Sequence, residues 1–280
     1  MEPRLEANLK NWNDRVRVHT ESRFYDVESW LLKAPGPPSR EIETVGDLEG
    51  KTLVHLQCHF GMDTLQWARA GAIVTGLDFS PAAITEAISL AERAGLSERS
   101  SFVCSNVYDA PQALSGKRFD VVYVSLGALC WLPDVAAWGG VVADLLAPGG
   151  RLYLHDGHPF ASCFDDDGEQ VIYSYFEEPD NPYVSDSPFT YTDGEELIAT
   201  RTYDWNHSIG EIIAALIGRG LVLDSLTEHD WTLSKLFAWL EESLSGLFVV
   251  PEGRPRIPLS FTVLAHAPSK VQEQVSSSEA

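Results

Sequence analysis

Residues 52–78 read TLVHLQCHFGMDTLQWARAGAIVTGLD, and this stretch decides the fold prediction. The apolar run Thr52–Gln57 predicts a buried strand, Asp63–Ala70 predicts a helix, and Ala72–Leu77 predicts a second buried strand. Two strands this apolar, joined through a helix, are typical of a parallel sheet that helices cover on both faces.

The chain on the carboxyl side of this stretch repeats the alternation. Predicted helices lie at Pro81 to about Ala94, Val135–Leu146, Ser208–Arg219 and near Leu233–Leu247, and predicted strands lie at Ser101–Cys104, Phe119–Ser125, Arg151–His155, Leu221–His229 and Leu259–His266. A final strand pair after five strand–helix units predicts an α/β fold with a doubly wound, seven-stranded sheet. Ligands of such sheets bind at the carboxyl ends of the strands.

The segments outside the predicted sheet divide the chain further. Residues 1–45 are predicted to form a helical lid, because apolar residues recur at helical spacing from about Leu5 to Leu32. The main domain is predicted over residues 46–266, with an aromatic-rich insertion at about 157–205. The polar residues 267–280 are predicted to be a disordered tail.

Composition limits the classes of function. The formal net charge is −21 over 280 residues, and such a field repels nucleic acids and anionic membranes. No apolar run reaches the roughly 18–20 residues of a membrane-spanning helix, and the polar N-terminus lacks the apolar stretch of a secretory signal. We therefore expect a cytoplasmic protein that acts on a small molecule. The four cysteines follow no metal-binding spacing, so no metal site is predicted.

Charge is distributed unevenly. There is no Lys or Arg between Arg151 and Arg201, whereas residues 165–196 hold eleven Asp and Glu residues. One interpretation is a solvated acidic loop, and the other is a lid that attracts a cationic or amine substrate.

Asp78 is the first candidate for ligand binding. It follows the second predicted strand, about 20 positions after the turn that ends in Gly61. An acidic residue at this place is suited to accept hydrogen bonds from both hydroxyls of a ribose. The structural alternative is a helix cap or an exposed turn residue.

The motifs around Asp78 resemble those of class I S-adenosylmethionine-dependent methyltransferases, over about Gly50–Asp156. Their first motif, V-L-D-L-G-C-G-x-G, corresponds to LVHLQCHFG at residues 53–61, and VTGLDFSPAAI, FVCSNVYDAP, FDVVYVS and LLAPGGRLYLHD resemble the following motifs in order. His55 replaces the usual acidic residue, and Gln57 and His59 replace two glycines. A bacterial subgroup of the family is similar, with LQCHFG, Trp-Leu-Pro-Asp as at residues 131–134 and His-Pro as at residues 158–159.

The resemblance implies a Rossmann-like fold and S-adenosylmethionine as cofactor. It implies that Asp78 binds the ribose, that Phe79 lies beside the adenine and that Asn106 accepts from the adenine amine. We expect Gln57 and His59 to face the methionine portion; if His59 only packs, Gln57 and Ser125 become the better contacts. The full set of predicted cofactor-binding residues is Gln57, Cys58, His59, Gly61, Asp78, Phe79, Asn106, Val107 and Ser125.

The predicted reaction is methyl transfer to a hydroxyl or amine of a small molecule. A general base is useful for such acceptors, and the candidates are His155, Asp156, His158, His207 and Glu228. We favour His158, because it follows the fifth strand and opens the insertion, although each candidate also has a structural alternative. Trp12, His19 and Tyr25 are expected to close over the cofactor.

Two other functions remain open at this point. A non-catalytic S-adenosylmethionine-binding protein would use similar cofactor contacts. A NAD-dependent oxidoreductase would also place an acidic residue on a ribose, but it would need three glycines in the turn that here holds Gln57 and His59.

Overall fold

The computed structural model describes residues 2–269. Its strands are β1 (Thr52–Leu56), β2 (Ile73–Asp78), β3 (Ser100–Cys104), β4 (Phe119–Val124), β5 (Leu146–Gly157), β6 (Tyr183–Asp186), β7 (Arg201–Asp204), β8 (Val222–His229), β9 (Trp231–Thr232), β10 (Glu241–Glu242), β11 (Phe248–Val249) and β12 (Ser260–His266). Its helices are α1 (Pro3–Glu21), α2 (Val27–Lys33), α3 (Ser39–Val45), α4 (Met62–Arg69), α5 (Pro81–Arg93), α6 (Ala110–Ala113), α7 (Val135–Leu145) and α8 (Ile209–Ile217).

Seven strands form the central sheet, in the order β3-β2-β1-β4-β5-β12-β8. The first five strands of the chain pair in parallel, and β12 runs antiparallel to both of its neighbours. The chain therefore winds outward from β1 in both directions, which confirms the predicted α/β doubly wound, Rossmann-like fold. A switch point of this kind leaves a crevice at the carboxyl ends of β1 and β4.

Apolar side chains cover both faces of the sheet. On one face, α7 and α8 bury Trp138, Leu145 and Leu216 against the middle strands. On the other face, Trp67 packs against Tyr123, whose ring stacks on that of Tyr153 at 5.3 Å. Burial on both faces explains why β1 and β4 are almost entirely apolar in sequence.

Helix starts follow the expected capping chemistry. The Ser80 hydroxyl accepts a hydrogen bond from the backbone N–H of Ala83, and Pro81 occupies the first turn of α5. Ser208 and Glu211 form a reciprocal capping box at the start of α8. In the part of the chain that the structure describes, no helix is long and apolar enough to cross a membrane.

The N-terminal region differs from the single helical stretch expected over residues 5–32. Asp26 adopts a left-handed conformation, with φ +40°, and its side chain caps α2, so the chain breaks between α1 and α2. A third helix, α3, follows the Pro-rich segment at residues 35–38. The Asn8 amide binds both the N–H and the C=O of Tyr203, at 2.8 Å each, and so completes the exposed edge of β7.

The helix predicted near Leu233–Leu247 is wrong. This segment folds as turns and the short strands β10 and β11, which form a three-stranded sheet with β9. Phe237 and Leu240 pack against Ala161 and Leu259, whereas Leu244 is fully exposed. The apolar residues recur at helical spacing, but only some of them pack against a core. A helix here would bury only part of its apolar face, so tertiary packing favours turns and short strands instead.

Two predicted boundaries also move. The turn Pro148–Gly150 was expected to lie between α7 and the next strand, but β5 already begins at Leu146 and includes it. Ala267, the first residue of the predicted tail, forms backbone hydrogen bonds with Gly149 and Gly150 and so continues the pairing of β12 with β5. Residues 270–280 of that tail lie outside the described residues.

The close packing of α7 on α8 yields a test of the fold. A Cβ on Gly139 would lie 2.6 Å from the backbone oxygen of Ala215, which cannot move without shifting α8. We expect Gly139→Ala to lower the free energy of unfolding by about 1–3 kcal/mol, measured by urea denaturation.

Gly140 on the same helix provides the matched control. Its added Cβ would meet only the flexible end of Arg219, at 3.3 Å. Gly140→Ala should leave stability unchanged or raise it by about 0.5–1 kcal/mol, because alanine favours the helix. Equal effects of the two substitutions would contradict the packing of α7 on α8.

Candidate functional site

A cavity of about 970 Å³ opens at the carboxyl ends of β1, β2 and β4. It lies where the winding of the sheet reverses, which is the usual ligand position in this architecture. All nine residues that the sequence analysis assigned to the cofactor line its wall: Gln57, Cys58, His59, Gly61, Asp78, Phe79, Asn106, Val107 and Ser125.

The turn after β1 keeps a glycine-type backbone without the glycines. Gln57 and His59 have φ values of +57° and +51°, in the left-handed region that normally favours glycine. Each such residue costs about 1–2 kcal/mol relative to an ordinary conformation. Gly61, at φ +82°, has no room for a Cβ, which would lie 2.8 Å from the Phe102 ring. In this strained turn, the side chains of Gln57 and His59 occupy the two positions where the family motif has glycine.

Asp78 holds this turn to the second strand. One carboxylate oxygen accepts the backbone N–H of His59 at 2.9 Å, and the other accepts that of Ser80 at 2.9 Å. Burial raises the pKa of Asp78 to about 6, against the lowering effect of these backbone donors. Each oxygen keeps a lone pair, so the carboxylate can accept two further hydrogen bonds from a ligand.

Two polar atoms of the wall have no partner within the protein. Gln57 donates through its Nε2 to the backbone oxygen of Ala128 at 2.8 Å, but its Oε1 is buried and unbonded among residues 2–269. The Nδ1 atom of His59 is likewise buried and unbonded in this part of the chain. Buried polar atoms without partners are costly, so these two positions indicate where a polar ligand group would bind.

His59 and His19 share one hydrogen bond. Nε2 of His59 lies 2.9 Å from Nδ1 of His19, and Nε2 of His19 lies 2.8 Å from the Thr190 hydroxyl. Burial lowers the pKa of His59 well below its usual value, and the nearby His19 and Arg15 add to the effect. The pKa of His19 falls to about 3, mainly through burial. Both rings are therefore neutral, whereas a carboxylate beside His59 would favour the charged form.

Aromatic side chains from the lid and the insertion close the cavity. Trp12 and Tyr25 line it, as expected for the lid, and His19 lies behind His59. Tyr191, from the insertion, also lines it and shares a 2.6 Å hydrogen bond between its hydroxyl and that of Tyr25. No local pattern predicts the pairing of Tyr191, because its partner lies 166 residues away.

Arg15 is a further residue that the sequence analysis missed. Its guanidinium carbon lies 4.9 Å from the ring centre of Trp12 and 5.4 Å from that of Trp131. Both tryptophans line the cavity, so Arg15 braces its wall from behind. Arg15 lies three residues after Trp12 on the same helix face, and this spacing is the signal from which its contact with Trp12 could be predicted.

Beneath the cavity, His55 fixes the position of Ser125. Its ring nitrogens lie 2.8 Å from the Thr64 hydroxyl and 3.1 Å from the Ser125 hydroxyl. Burial lowers the pKa of His55 to about 3, so the ring is a neutral bridge. The residue that replaces the family's acidic position thus orients a wall hydroxyl.

At the opposite end, Asn106 and Phe79 form the part of the wall expected to meet an adenine. The Oδ1 atom of Asn106 accepts the backbone N–H of Tyr108 at 3.1 Å, which caps the short turn that follows. A second lone pair on this oxygen stays available for a ligand amine.

None of the five candidate bases lines this cavity. Nε2 of His158 lies 2.8 Å from Oε1 of Glu228, and its Nδ1 accepts the backbone N–H of Phe160 at 3.1 Å. His155 bonds to the hydroxyl of Thr262 instead. The structure therefore does not bring His158 to the predicted cofactor residues, because one of its nitrogens bonds the loop after β5 and the other bonds Glu228 on β8.

Asp156 has the structural role that was its alternative. Its carboxylate accepts backbone N–H groups from Gly127, Ala128, Leu129 and Gly157. These bonds hold the segment after β4 against the end of β5. They fix the carbonyl of Ala128 to which Gln57 donates.

Comparison with protein families and curated sequences gives the same assignment for the core. Residues 54–152 match the family model described as a methyltransferase domain. The 2-methyl-6-phytyl-1,4-hydroquinone methyltransferase of Synechocystis sp. is 26% identical over 211 residues, which are 73% of this chain. The chain spans about half of the length of that relative, 56%.

Solved structures share the architecture. An S-adenosylmethionine-dependent methyltransferase of Clostridium acetobutylicum matches with a TM-score of 0.54 at 14% identity, over 87% of this chain and 93% of that one. The glycopeptide N-methyltransferase MtfA, solved with S-adenosylmethionine, matches with a TM-score of 0.51 at 18% identity, over 82% and 92%. Residues 54–152 are therefore similar to a methyltransferase domain, and the chain has a Rossmann-like fold that it shares with solved S-adenosylmethionine-dependent methyltransferases.

Proposed function

We propose that this protein transfers the methyl group of S-adenosylmethionine to a hydroxyl or amine of a small molecule in the cytoplasm. The observation that carries the proposal is the single cavity at the ends of β1 and β2, whose wall combines Asp78 with the unpartnered polar atoms of Gln57 and His59. The methyltransferase-domain match over the same strands supports it.

The wall residues suit the parts of this cofactor. Asp78 would hold the ribose hydroxyls through its free lone pairs, and Asn106 and Phe79 would contact the adenine. The Oε1 atom of Gln57 would accept from the ammonium of the methionine portion. His59 is neutral, so its Nδ1 can either donate to the carboxylate or accept from the ammonium, according to which tautomer binds.

The chemistry makes modest demands on the protein. When bound, S-adenosylmethionine supplies a methyl group on a positive sulfur, and the C–S bond breaks as a lone pair of the acceptor takes the methyl carbon. The wall residues hold the two reactants in line, which lowers the entropic part of the barrier. Trp12, Tyr25 and Tyr191 exclude water from above the site. The proton of the acceptor leaves to solvent or to a base.

The net charge of −21 supports a small-molecule acceptor over a nucleic acid.

The first test measures binding of S-adenosylhomocysteine by titration calorimetry. We expect Asp78→Asn to weaken binding about tenfold or more, because ribose hydroxyls bond more strongly to a carboxylate than to an amide. The affinity of the wild type should rise from about pH 5 to about pH 7 and then level off, since donors from the ligand stabilise the ionised form of a carboxyl whose pKa is about 6. His19, with a pKa of about 3, and His59, whose pKa lies far below its usual value, do not titrate in this window.

Asp109→Asn is the control, because Asp109 is exposed and lies outside the cavity wall. It should bind as the wild type does, with the same pH profile. A pH profile that survives in Asp78→Asn would remove Asp78 from the ribose role.

The second test is a screen for methyl transfer from labelled S-adenosylmethionine to small amines, alcohols and phenols. We expect label in at least one acceptor, with S-adenosylhomocysteine formed in equal amount. Tight cofactor binding without transfer to any acceptor would indicate a non-catalytic binding protein. Binding of NADH in place of S-adenosylhomocysteine would indicate an oxidoreductase.

The predicted base, His158, is tested with the acceptor found in that screen. Because its ring does not reach the cavity, we expect His158→Gln to keep kcat within about threefold of the wild type while lowering the melting temperature. General base catalysis contributes about 10²–10⁴-fold, so a loss of that size with an altered pH profile would instead restore the catalytic assignment.

A further inference from the structure

A second cavity lies beside the first, within the insertion. Its volume is about 1440 Å³ when the space open to solvent is included, and its wall is rich in aromatic side chains: Phe164, Tyr173, Phe176, Tyr183 and Trp205. The segment after β4 separates the two cavities, since Ala128 and Trp131 line the first and Cys130 lines the second. The backbone N–H of Trp205 donates to the oxygen of Cys130 at 2.8 Å and fixes this partition.

The aromatic wall is open to solvent. Phe176 is 68% exposed and Tyr183 is 43% exposed, although both are large apolar rings. Tyr173 and Tyr183 pack edge to face with ring centres 4.8 Å apart. A concave group of exposed aromatic rings of this kind marks a ligand-binding surface more often than a solvated loop.

Carboxylates supply the polar part of the same wall. Asp166, Glu178 and Asp204 line the cavity, and no Lys or Arg of residues 2–269 lines it. Asp204 is half-buried, and its carboxylate has neither a hydrogen bond nor an ion pair within residues 2–269. Burial raises the pKa of Asp204 to about 7, and only Arg15 opposes the shift.

Arg15 forms no ion pair with Asp204 within residues 2–269, although its charge lowers the pKa of that carboxyl. Its Nε donates to the Asn11 amide oxygen at 2.6 Å, and its guanidinium lies over Trp12 and Trp131, which line the first cavity. The carboxylate of Asp204 therefore keeps its acceptor sites for a cationic ligand.

We propose that the second cavity binds the ammonium group of the methyl acceptor, which makes the acceptor a small organic cation. This inference rests on the proposed function. Aromatic faces attract an ammonium through their negative centres, and carboxylates add direct charge pairing. The eleven acidic residues at positions 165–196 extend the same attraction to the approach from solvent.

The experiment uses benzylamine, benzyl alcohol and benzoate as probes, which share one ring and differ in charge. Each is titrated into the full-length protein at about pH 7.5, with and without saturating S-adenosylhomocysteine. We expect benzylamine to bind at least about tenfold more tightly than benzyl alcohol, and benzoate to show no measurable binding.

Variants locate the binding. Asp204→Asn should remove most of the preference for benzylamine over benzyl alcohol. Phe176→Ala should weaken benzylamine severalfold, and since Phe176 is 68% exposed this variant should fold even if Asp204→Asn does not. Glu43→Gln is the matched control, because Glu43 is an exposed carboxylate outside both the cavity and residues 165–196, and it should bind benzylamine as the wild type does.

The outcomes separate the two proposals. If S-adenosylhomocysteine fails to bind, the proposed function fails, while the benzylamine titrations still decide whether the cavity takes cations. If S-adenosylhomocysteine binds but benzylamine binds no more tightly than benzyl alcohol, the inference is overturned. Unchanged preference in both Asp204→Asn and Phe176→Ala would overturn it as well.

Discussion

The hydrogen bond from the backbone N–H of His59 to Asp78 is the contact on which the site depends. It joins the turn after β1 to the end of β2, and it holds His59 in a left-handed conformation that the residue does not favour alone. Without this tether the turn would relax, and the polar atoms of Gln57 and His59 would leave the wall. The same carboxylate accepts the backbone N–H of Ser80, the residue before α5. One buried carboxylate therefore positions the turn after β1, the end of β2 and the start of α5 around the cavity.

Sequence reasoning found residues that line the first cavity because this cavity lies at the strand ends. Parallel strands place their carboxyl ends at one edge, so Asp78, Asn106 and Ser125 had to meet there once the strand order was known. It did not locate Tyr191 or the pairing of Asn8 with β7, since these contacts join distant segments and depend on how a loop folds back. The prediction of a helix near Leu233–Leu247 was wrong for a related reason. The spacing of apolar residues indicates an apolar helix face, but it does not show whether the folded protein has a core for that face to pack against.

Residue type alone did not distinguish a general base from a side chain that bonds the backbone. Asp156 near the end of β5 and His158 just after it have the chemistry of a base, yet their polar atoms bind loop N–H groups and Glu228. A loop near a ligand site must be rigid, and buried carboxylates that accept several N–H groups provide that rigidity. A polar residue at the end of a strand can therefore be either a general base or a residue that holds a loop in place, and only its hydrogen bonds distinguish the two roles.

The charges of the two cavities differ in a way that bears on acceptor choice. The wall of the first holds neutral histidines, and Arg15 lies behind it, so little negative charge beyond Asp78 and Asp63 faces a sulfonium. A cationic acceptor brought within 4 Å of that sulfonium would be repelled by about 4 kcal/mol at an effective dielectric constant of about 20. If the acceptor is a cation, as we propose, binding of its ammonium by Asp204 and its neighbours would keep that charge on the far side of the segment after β4 and so reduce this repulsion.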